Sequence, residues 1–103
     1  MGFHAGTAIR QLDVFAKWLE NIKDAPTKQR LVKRLRKVQL GALGDVKPVG
    51  DGVFEMREHF GSGWRMYFIE RNQEIIVMLG GGVKSTQSAD IRKAIKLATL
   101  LED

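Results

Sequence analysis

The spacing of apolar residues changes part-way along this chain, from a helical repeat to a strict alternation. Apolar residues at i, i+3, i+4 and i+7 predict one face of a first helix: Phe15, Trp18, Leu19 and Ile22. A second helical stripe follows a break at residues 24–26: Leu31, Leu35, Val38 and Ala42. From residue 53 the repeat is two residues, which is the period of a β-strand. Two helices followed by a sheet are therefore expected.

The boundaries of both helices carry local signals. Asp13 and Asp24 stand where the helices would begin, and aspartate is a favourable N-cap residue. Pro26 falls in the first turn of the second helix, where proline is well accommodated. Gly41 and Gly44 predict the end of that helix.

Three strands are predicted after the helices. Apolar and polar residues alternate on both sides of a glycine turn at residues 61–63, which predicts a hairpin. The run at residues 74–79 is apolar on both sides and is typical of a central strand, which the glycines at 80–82 would end. The turn-rich stretch at residues 45–52 is predicted to be a loop.

Two further elements complete the predicted order. An irregular start over residues 2–6 precedes a short strand at residues 7–10, and a last helix begins near Ser85 or Thr86. The order is β-α-α-β-β-β-α, an α+β fold. We expect a single domain over residues 1–103, with the helices packed on one face of a small, mainly antiparallel sheet.

The composition limits the classes of function. Seventeen Lys and Arg residues against 12 Asp and Glu residues give a net charge of +5, which favours polyanionic partners. The absence of cysteine excludes disulfides and thiol nucleophiles, and His4 and His59 lie too far apart to suggest a metal site. The longest apolar run, residues 75–79, is too short to span a bilayer. Residues 1–10 carry no export signal, so no membrane partner and a cytoplasmic location are expected.

The hairpin is the first candidate site. Period-two geometry places Glu55, Arg57, Arg65 and Tyr67 together on what is predicted to be an open face of the sheet. Two guanidinium groups, a carboxylate and a phenol could hold a phosphodiester and deprotonate a nearby hydroxyl. A solvated sheet face with ordinary Glu–Arg surface pairs accounts for the same pattern.

The glycine-rich stretch at residues 80–86 is the second candidate. It superficially resembles a phosphate-binding loop, but Val83 stands where the Walker pattern requires a glycine before the lysine, which argues against ATP or GTP binding. Lys84 would still lie at a helix N-terminus, where anions bind well. An exposed lysine in a glycine-rich connection is the alternative.

Further basic residues could contact a nucleic-acid backbone. Lys47 lies in the predicted loop, and the second helix has a basic face that includes Lys33, Arg34 and Lys37. A solvated loop and a solvated helix face are the alternatives. His59 lies on the polar face near the turn and could transfer protons, because imidazole titrates near neutrality, or it could be incidental.

Three segments resemble a known protein group. Residues 45–57 (DVKPVGDGVFEMR), 63–68 (GWRMYF) and 79–91 (LGGGVKSTQSADI) are similar to the addiction module killer protein group. That group belongs to the RelE/ParE/HigB superfamily of type II toxins. The resemblance extends over roughly residues 10–100, and the three motifs occur in the right order.

The resemblance implies a ribosome-dependent mRNA endoribonuclease that acts in the ribosomal A site and needs neither metal nor cofactor. A ribose 2′-hydroxyl would attack the adjacent phosphate and leave a 2′,3′-cyclic phosphate and a 5′-hydroxyl. By resemblance, Arg57 and Arg65 would clamp the phosphate, Glu55 could be the base, and Lys84 would stabilise the transition state. Lys47 and Tyr67 are further candidates for RNA contact.

The chain also departs from that pattern. Several active members carry a functional tyrosine or histidine near the C-terminus, whereas Thr86, Gln87, Ser88 and Asp90 are the polar residues that follow Lys84 here. The general acid is therefore left open. A gyrase poison of the ParE kind and a weakly active RNA-binding protein remain as alternatives. In each toxin interpretation the implied partner is a helix-turn-helix antitoxin, with an acidic surface suggested by the basic face of the toxin.

Overall fold

The computed structural model describes residues 7–72 and 75–101. The predicted irregular start at residues 2–6, which includes His4, and the predicted strand start at Glu74 lie outside this part. The elements are β1 (Ala8–Gln11), α1 (Asp13–Glu20), α2 (Ala25–Gln39), β2 (Val46–Gly50), β3 (Val53–Glu58), β4 (Trp64–Arg71), β5 (Ile75–Gly82), a 3-10 turn (Lys84–Thr86) and α3 (Gln87–Leu100).

The five strands form one sheet in the order β1-β5-β4-β3-β2. The β2–β3, β3–β4 and β4–β5 pairs are antiparallel, and β1 pairs with β5 in parallel. The prediction of an α+β fold with a mainly antiparallel sheet is confirmed. Among the described residues, no helix is long and apolar enough to cross a membrane.

The helix starts are confirmed in part. Asp24 caps α2, since its carboxylate accepts a hydrogen bond from the Thr27 backbone amide at 3.1 Å, and Pro26 lies in the first turn. At α1 the N-cap is Leu12 and makes no side-chain cap, whereas Asp13 is the first helical residue. An acidic residue there still interacts favourably with the helix dipole.

The helices lie on both faces of the sheet, so the prediction of one covered face was wrong. The even-numbered core positions of β3 and β4, such as Met56 and Met66, pack against α1 and α2. The odd-numbered positions, such as Val53 and Tyr67, pack against α3 through Ala94 and its neighbours. An apolar helical stripe shows that α3 is amphipathic, but it does not show which face of the sheet α3 covers.

Residues 46–50 form strand β2 instead of the predicted loop. The two-residue turn Asp51–Gly52, with φ of 52° and 81°, joins β2 to β3. Asp-Gly is a strong signal for a hairpin of this type, because both turn residues need positive φ. The proline at position 48 is compatible with a strand because β2 lies at the edge of the sheet.

The glycines at 80–82 continue β5 rather than ending it. A Cβ atom on Gly81 would lie 2.4 Å from the Trp18 ring, and one on Gly82 would lie 1.9 Å from Asp90 Oδ2. These glycines therefore let α1 and α3 approach opposite faces of the same strand.

Candidate functional site

Three basic residues from different elements lie near one another at the end of the sheet beside the start of α3. Arg57 on β3 lies directly opposite Arg65 on β4, and directly opposite residues point to the same face. The backbone amide of Lys84 donates to the Ser62 carbonyl at 3.2 Å, which fixes the 3-10 turn onto the β3–β4 turn. We call Arg57, Arg65 and Lys84 the basic cluster.

A buried polar network lies next to the basic cluster, under the first turn of α3. Glu55 is fully buried, and its Oε2 atom accepts hydrogen bonds from the Tyr67 hydroxyl at 3.1 Å and from Gln87 Nε2 at 2.9 Å. Burial, and after it the Glu55 carboxylate, raises the pKa of the Tyr67 phenol well above its usual value. The phenol therefore keeps its proton and donates a hydrogen bond to Glu55.

Arg65 is held from two directions. Its Nη1 atom donates to the Gly63 carbonyl at 2.6 Å, and its Nε atom lies 3.6 Å from Glu55 Oε2. The residue is only 8% exposed, so both contacts are largely shielded from water. Because its position is fixed before any ligand binds, the guanidinium is preorganised to meet an anion.

Asp45 joins Arg57 to a histidine. Asp45 Oδ1 accepts from Arg57 Nη2 at 3.0 Å, and Asp45 Oδ2 lies 2.6 Å from His59 Nε2. The hydrogen bond to His59 and then the one to Arg57 lower the pKa of the Asp45 carboxyl. Asp45 thus stays ionised, and one carboxylate orients both a guanidinium and an imidazole at the edge of the basic cluster.

The predicted open face is covered in part, which corrects the expected roles of two residues. Glu55 and Tyr67 share a face with Arg57 and Arg65, as the alternation predicted, but α3 buries both of them completely. Tyr67 therefore does not present its ring to RNA, and Glu55 does not face a substrate hydroxyl as a base would. Arg57 keeps 30% of its side chain exposed.

Arg34 is also placed differently from the prediction. It is buried, and its guanidinium donates to three backbone carbonyl groups, those of Leu43, Asp45 and Arg57. It also forms an ion pair with Glu58. Arg34 is therefore committed to holding α2 against β3 and the segment before β2, a placement that does not fit the predicted contact with RNA.

The other predicted basic residues are exposed. Lys47 lies opposite Glu55 on edge strand β2, on the side of the sheet that carries the basic cluster. Lys33 and Lys37 lie on α2, which covers the other side of the sheet. The structure therefore brings Arg57, Arg65 and Lys84 together and keeps the two α2 lysines away from them.

Sequence reasoning missed two residues of the site. Asp45 was assigned to a turn, because its position opposite Arg57 follows only once β2 is known to pair with β3. Gln87 reaches Glu55 across 32 positions of the chain, and no local pattern indicates such a contact. The described residues contain no group of three or more His, Asp or Glu side chains that could hold a metal ion.

The basic cluster lies apart from a groove that Trp18 and Trp64 line. This groove has a volume of about 550 Å³, and its lining includes Trp18, Trp64, Leu97 and residues 79–83. None of the three cluster residues lines it. Within the basic cluster Lys84 is exposed and Arg57 is partly exposed, whereas Arg65 is largely buried.

Comparisons with known proteins show sequence similarity to a protein family and to a bacterial protein. Residues 17–101 match the family described as Phage derived protein Gp49-like (DUF891). An uncharacterised protein of Haemophilus influenzae is 40% identical over 84 residues, which cover 82% of this chain and 85% of that protein.

The fold is similar to that of a solved toxin–antitoxin complex. The crystal structure of RelBE2 from Mycobacterium tuberculosis contains a chain that matches with a TM-score of 0.63 and 14% identity, over 79% of this chain and 94% of that one. At that identity the likeness concerns the fold alone. The similarity to the RelE toxin fold that the motifs indicated is confirmed at this level.

Proposed function

This chain belongs to the Phage derived protein Gp49-like family, and from that premise we propose that it is the RNA-cleaving toxin of a toxin–antitoxin system. The substrate is mRNA in the ribosomal A site, and the protein acts in the cytoplasm. The partner that restrains it is a helix-turn-helix antitoxin encoded alongside. The structurally similar chain comes from a toxin–antitoxin complex, which supports this assignment.

One observation carries the proposal: Arg57 and Arg65 face each other on adjacent strands, and Lys84 is fixed beside them by the β3–β4 turn. Phosphodiester cleavage adds negative charge to the phosphate in the transition state. Preorganised cations stabilise that added charge without reorganising during the reaction. The net charge of +5 favours approach to a polyanion as well.

The chemistry proposed is attack by a ribose 2′-oxygen on the neighbouring phosphorus. The bond from phosphorus to the 5′-oxygen breaks, which yields a 2′,3′-cyclic phosphate and a 5′-hydroxyl. Arg57 and Arg65 clamp the non-bridging oxygens, and Lys84 adds positive charge. Glu55 holds Arg65 in place from beneath the sheet surface, since its burial leaves it no access to the 2′-hydroxyl.

Primer extension on a defined mRNA in a reconstituted translation system tests the proposal. We expect ribosome-dependent cleavage by the wild type and a loss of roughly 100-fold or more in Arg65→Ala, the scale found when one transition-state donor is removed. Arg36→Ala is the matched control, because Arg36 is an exposed arginine of α2.

Intact mRNA with the wild-type protein would contradict the proposal. In that case gyrase-dependent DNA breakage would select the gyrase-poison alternative. RNA binding without cleavage would instead indicate a binding protein of low activity.

A further inference from the structure

We propose that His59 is the general acid of this site, the group that protonates the leaving 5′-oxygen, and that Asp45 is its positioning residue. This inference rests on the proposed function. In this proposal His59 takes the role of the tyrosine or histidine that several related toxins carry near the C-terminus and that this chain lacks.

The position of His59 is the first argument. It follows β3 directly and lies two residues beyond Arg57. The shared carboxylate of Asp45 ties them together, with 3.0 Å to Arg57 Nη2 and 2.6 Å to His59 Nε2. A phosphate clamped by Arg57 would therefore have the imidazole beside it.

Exposure is the second argument. The side chain of His59 is 70% exposed, so RNA bound on this face can reach it. The hydrogen bond to Asp45 uses Nε2, which leaves Nδ1 as the nitrogen that can face the scissile bond. A carboxylate on one ring nitrogen fixes the orientation of the ring.

Five other polar side chains of the site are poorly suited to donate this proton. Tyr67 and Glu55 are completely buried and bonded to each other. The guanidinium groups of Arg57 and Arg65 do not give up a proton under physiological conditions. Asp45 is held ionised by its two partners and has no proton to donate.

The proposed step balances. The 2′-oxygen forms a bond to phosphorus while its proton passes to water, and the bond from phosphorus to the 5′-oxygen breaks. The Nδ1 proton of the imidazolium moves to the 5′-oxygen, which leaves as a neutral hydroxyl. His59 then takes a proton back from water, so no further reactant is consumed.

A sulfur-substituted substrate separates acid catalysis from binding. In this substrate the 5′-oxygen at the cleavage position mapped for the wild type is replaced by sulfur, which leaves as a thiolate without needing a proton. We expect His59→Gln to reduce cleavage of the oxygen substrate by about 10²–10⁴-fold, the contribution typical of a general acid. On the sulfur substrate the variant should cleave at a rate close to that of the wild type.

Two further variants complete the test. Asp45→Asn should show a smaller loss than His59→Gln on the oxygen substrate and should recover only in part on the sulfur substrate, because the carboxylate also orients Arg57. Arg65→Ala should be defective on both substrates, because the charge on the phosphate develops whatever atom leaves. Circular dichroism checks that each variant is folded, and His59→Asn provides a second substitution at this exposed position.

The outcomes distinguish the two proposals. If the wild type cleaves neither substrate, the proposed function fails and this inference fails with it. If the wild type cleaves the oxygen substrate and His59→Gln does so equally well, the function stands and the assignment of His59 is overturned. Equal defects of His59→Gln on both substrates would also overturn it, because they would place His59 in binding.

Discussion

Tyr67 illustrates how the same side chain can belong to a functional face and yet serve the structure. Alternation along β4 places it beside Arg65, and that part of the prediction is correct. The burial of its ring depends on α3, which begins 20 positions later in the chain, so no local sequence pattern indicates that burial. Its hydroxyl donates a hydrogen bond to Glu55, which in turn lies 3.6 Å from Arg65 Nε.

The titration of Tyr67 predicts how the stability of the protein changes at high pH. In the unfolded chain the phenol loses its proton near pH 10, whereas in the folded chain its raised pKa keeps it protonated. The unfolded state therefore binds fewer protons above about pH 10, so stability should be full below that pH and should fall as the pH rises further. Tyr67→Phe should remove this part of the loss.

The measurement is simple because Tyr67 is the one tyrosine of the chain. At about pH 11, above the ordinary phenol pKa, phenolate absorbance should be absent from the folded protein and should appear when urea unfolds it. Phenolate in the folded protein at that pH would contradict the described burial of the ring.

Strand β5 shows why a run of glycines within a strand can be mistaken for a turn. Three successive glycines ordinarily indicate a turn, and the prediction ended the strand there. Two of the three glycines are explained by close approaches, of Trp18 to Gly81 and of Asp90 to Gly82. Both neighbours come from helices, and neither approach could be anticipated without the three-dimensional packing.

Gly81→Ala should therefore destabilise the protein. The added methyl group would lie 2.4 Å from the Trp18 ring, and overpacking of this kind costs about 1–3 kcal/mol. Gly80→Ala is the matched control, since a Cβ atom there meets nothing within 4 Å, and we expect a change within about 0.5 kcal/mol. Urea unfolding followed by circular dichroism measures both, and equal stability of the two variants would refute the packing account.

The elements differ in how far their positions could be predicted from the sequence. The stripes of α1 and α2, the cap at Asp24 and the β3–β4 hairpin depend on near neighbours, and their positions could be predicted. Strand β2 could have been predicted from its Asp51–Gly52 turn, a local signal outweighed by the surrounding turn-forming residues. The side covered by α3 could not, because both faces of β5 are apolar.

On the scale of the whole molecule, the three layers divide the positive charge between two sides. The basic cluster and Lys47 lie on the α3 side, whereas Lys33 and Lys37 lie on α2 across the sheet. One RNA strand on the basic cluster cannot at once follow the α2 surface without bending around the molecule. Any phosphate contacts of the α2 lysines are therefore expected to aid association rather than chemistry.

The double variant Lys33→Ala/Lys37→Ala tests this division of roles. At saturating protein its cleavage rate should equal that of the wild type, while its apparent affinity for the mRNA–ribosome complex should fall. When the logarithm of affinity is plotted against the logarithm of salt concentration, the slope should become shallower by up to roughly 0.9 for each lysine that contacts a phosphate. Lys84→Ala should instead lower the rate at saturation, because Lys84 lies in the basic cluster.

Lys17→Ala/Lys23→Ala is the charge-matched control, since it removes two exposed lysines outside the predicted RNA-binding set. The control separates a specific contact from the general effect of lowering the net charge from +5 to +3, which weakens long-range attraction wherever the lysines lie. If both double variants change the salt dependence equally, the basic face of α2 is an ordinary solvated surface. If Lys33→Ala/Lys37→Ala alone changes it, a second nucleic-acid contact lies on the opposite side of the sheet from the basic cluster, and the substrate must present phosphates to both sides of this small protein.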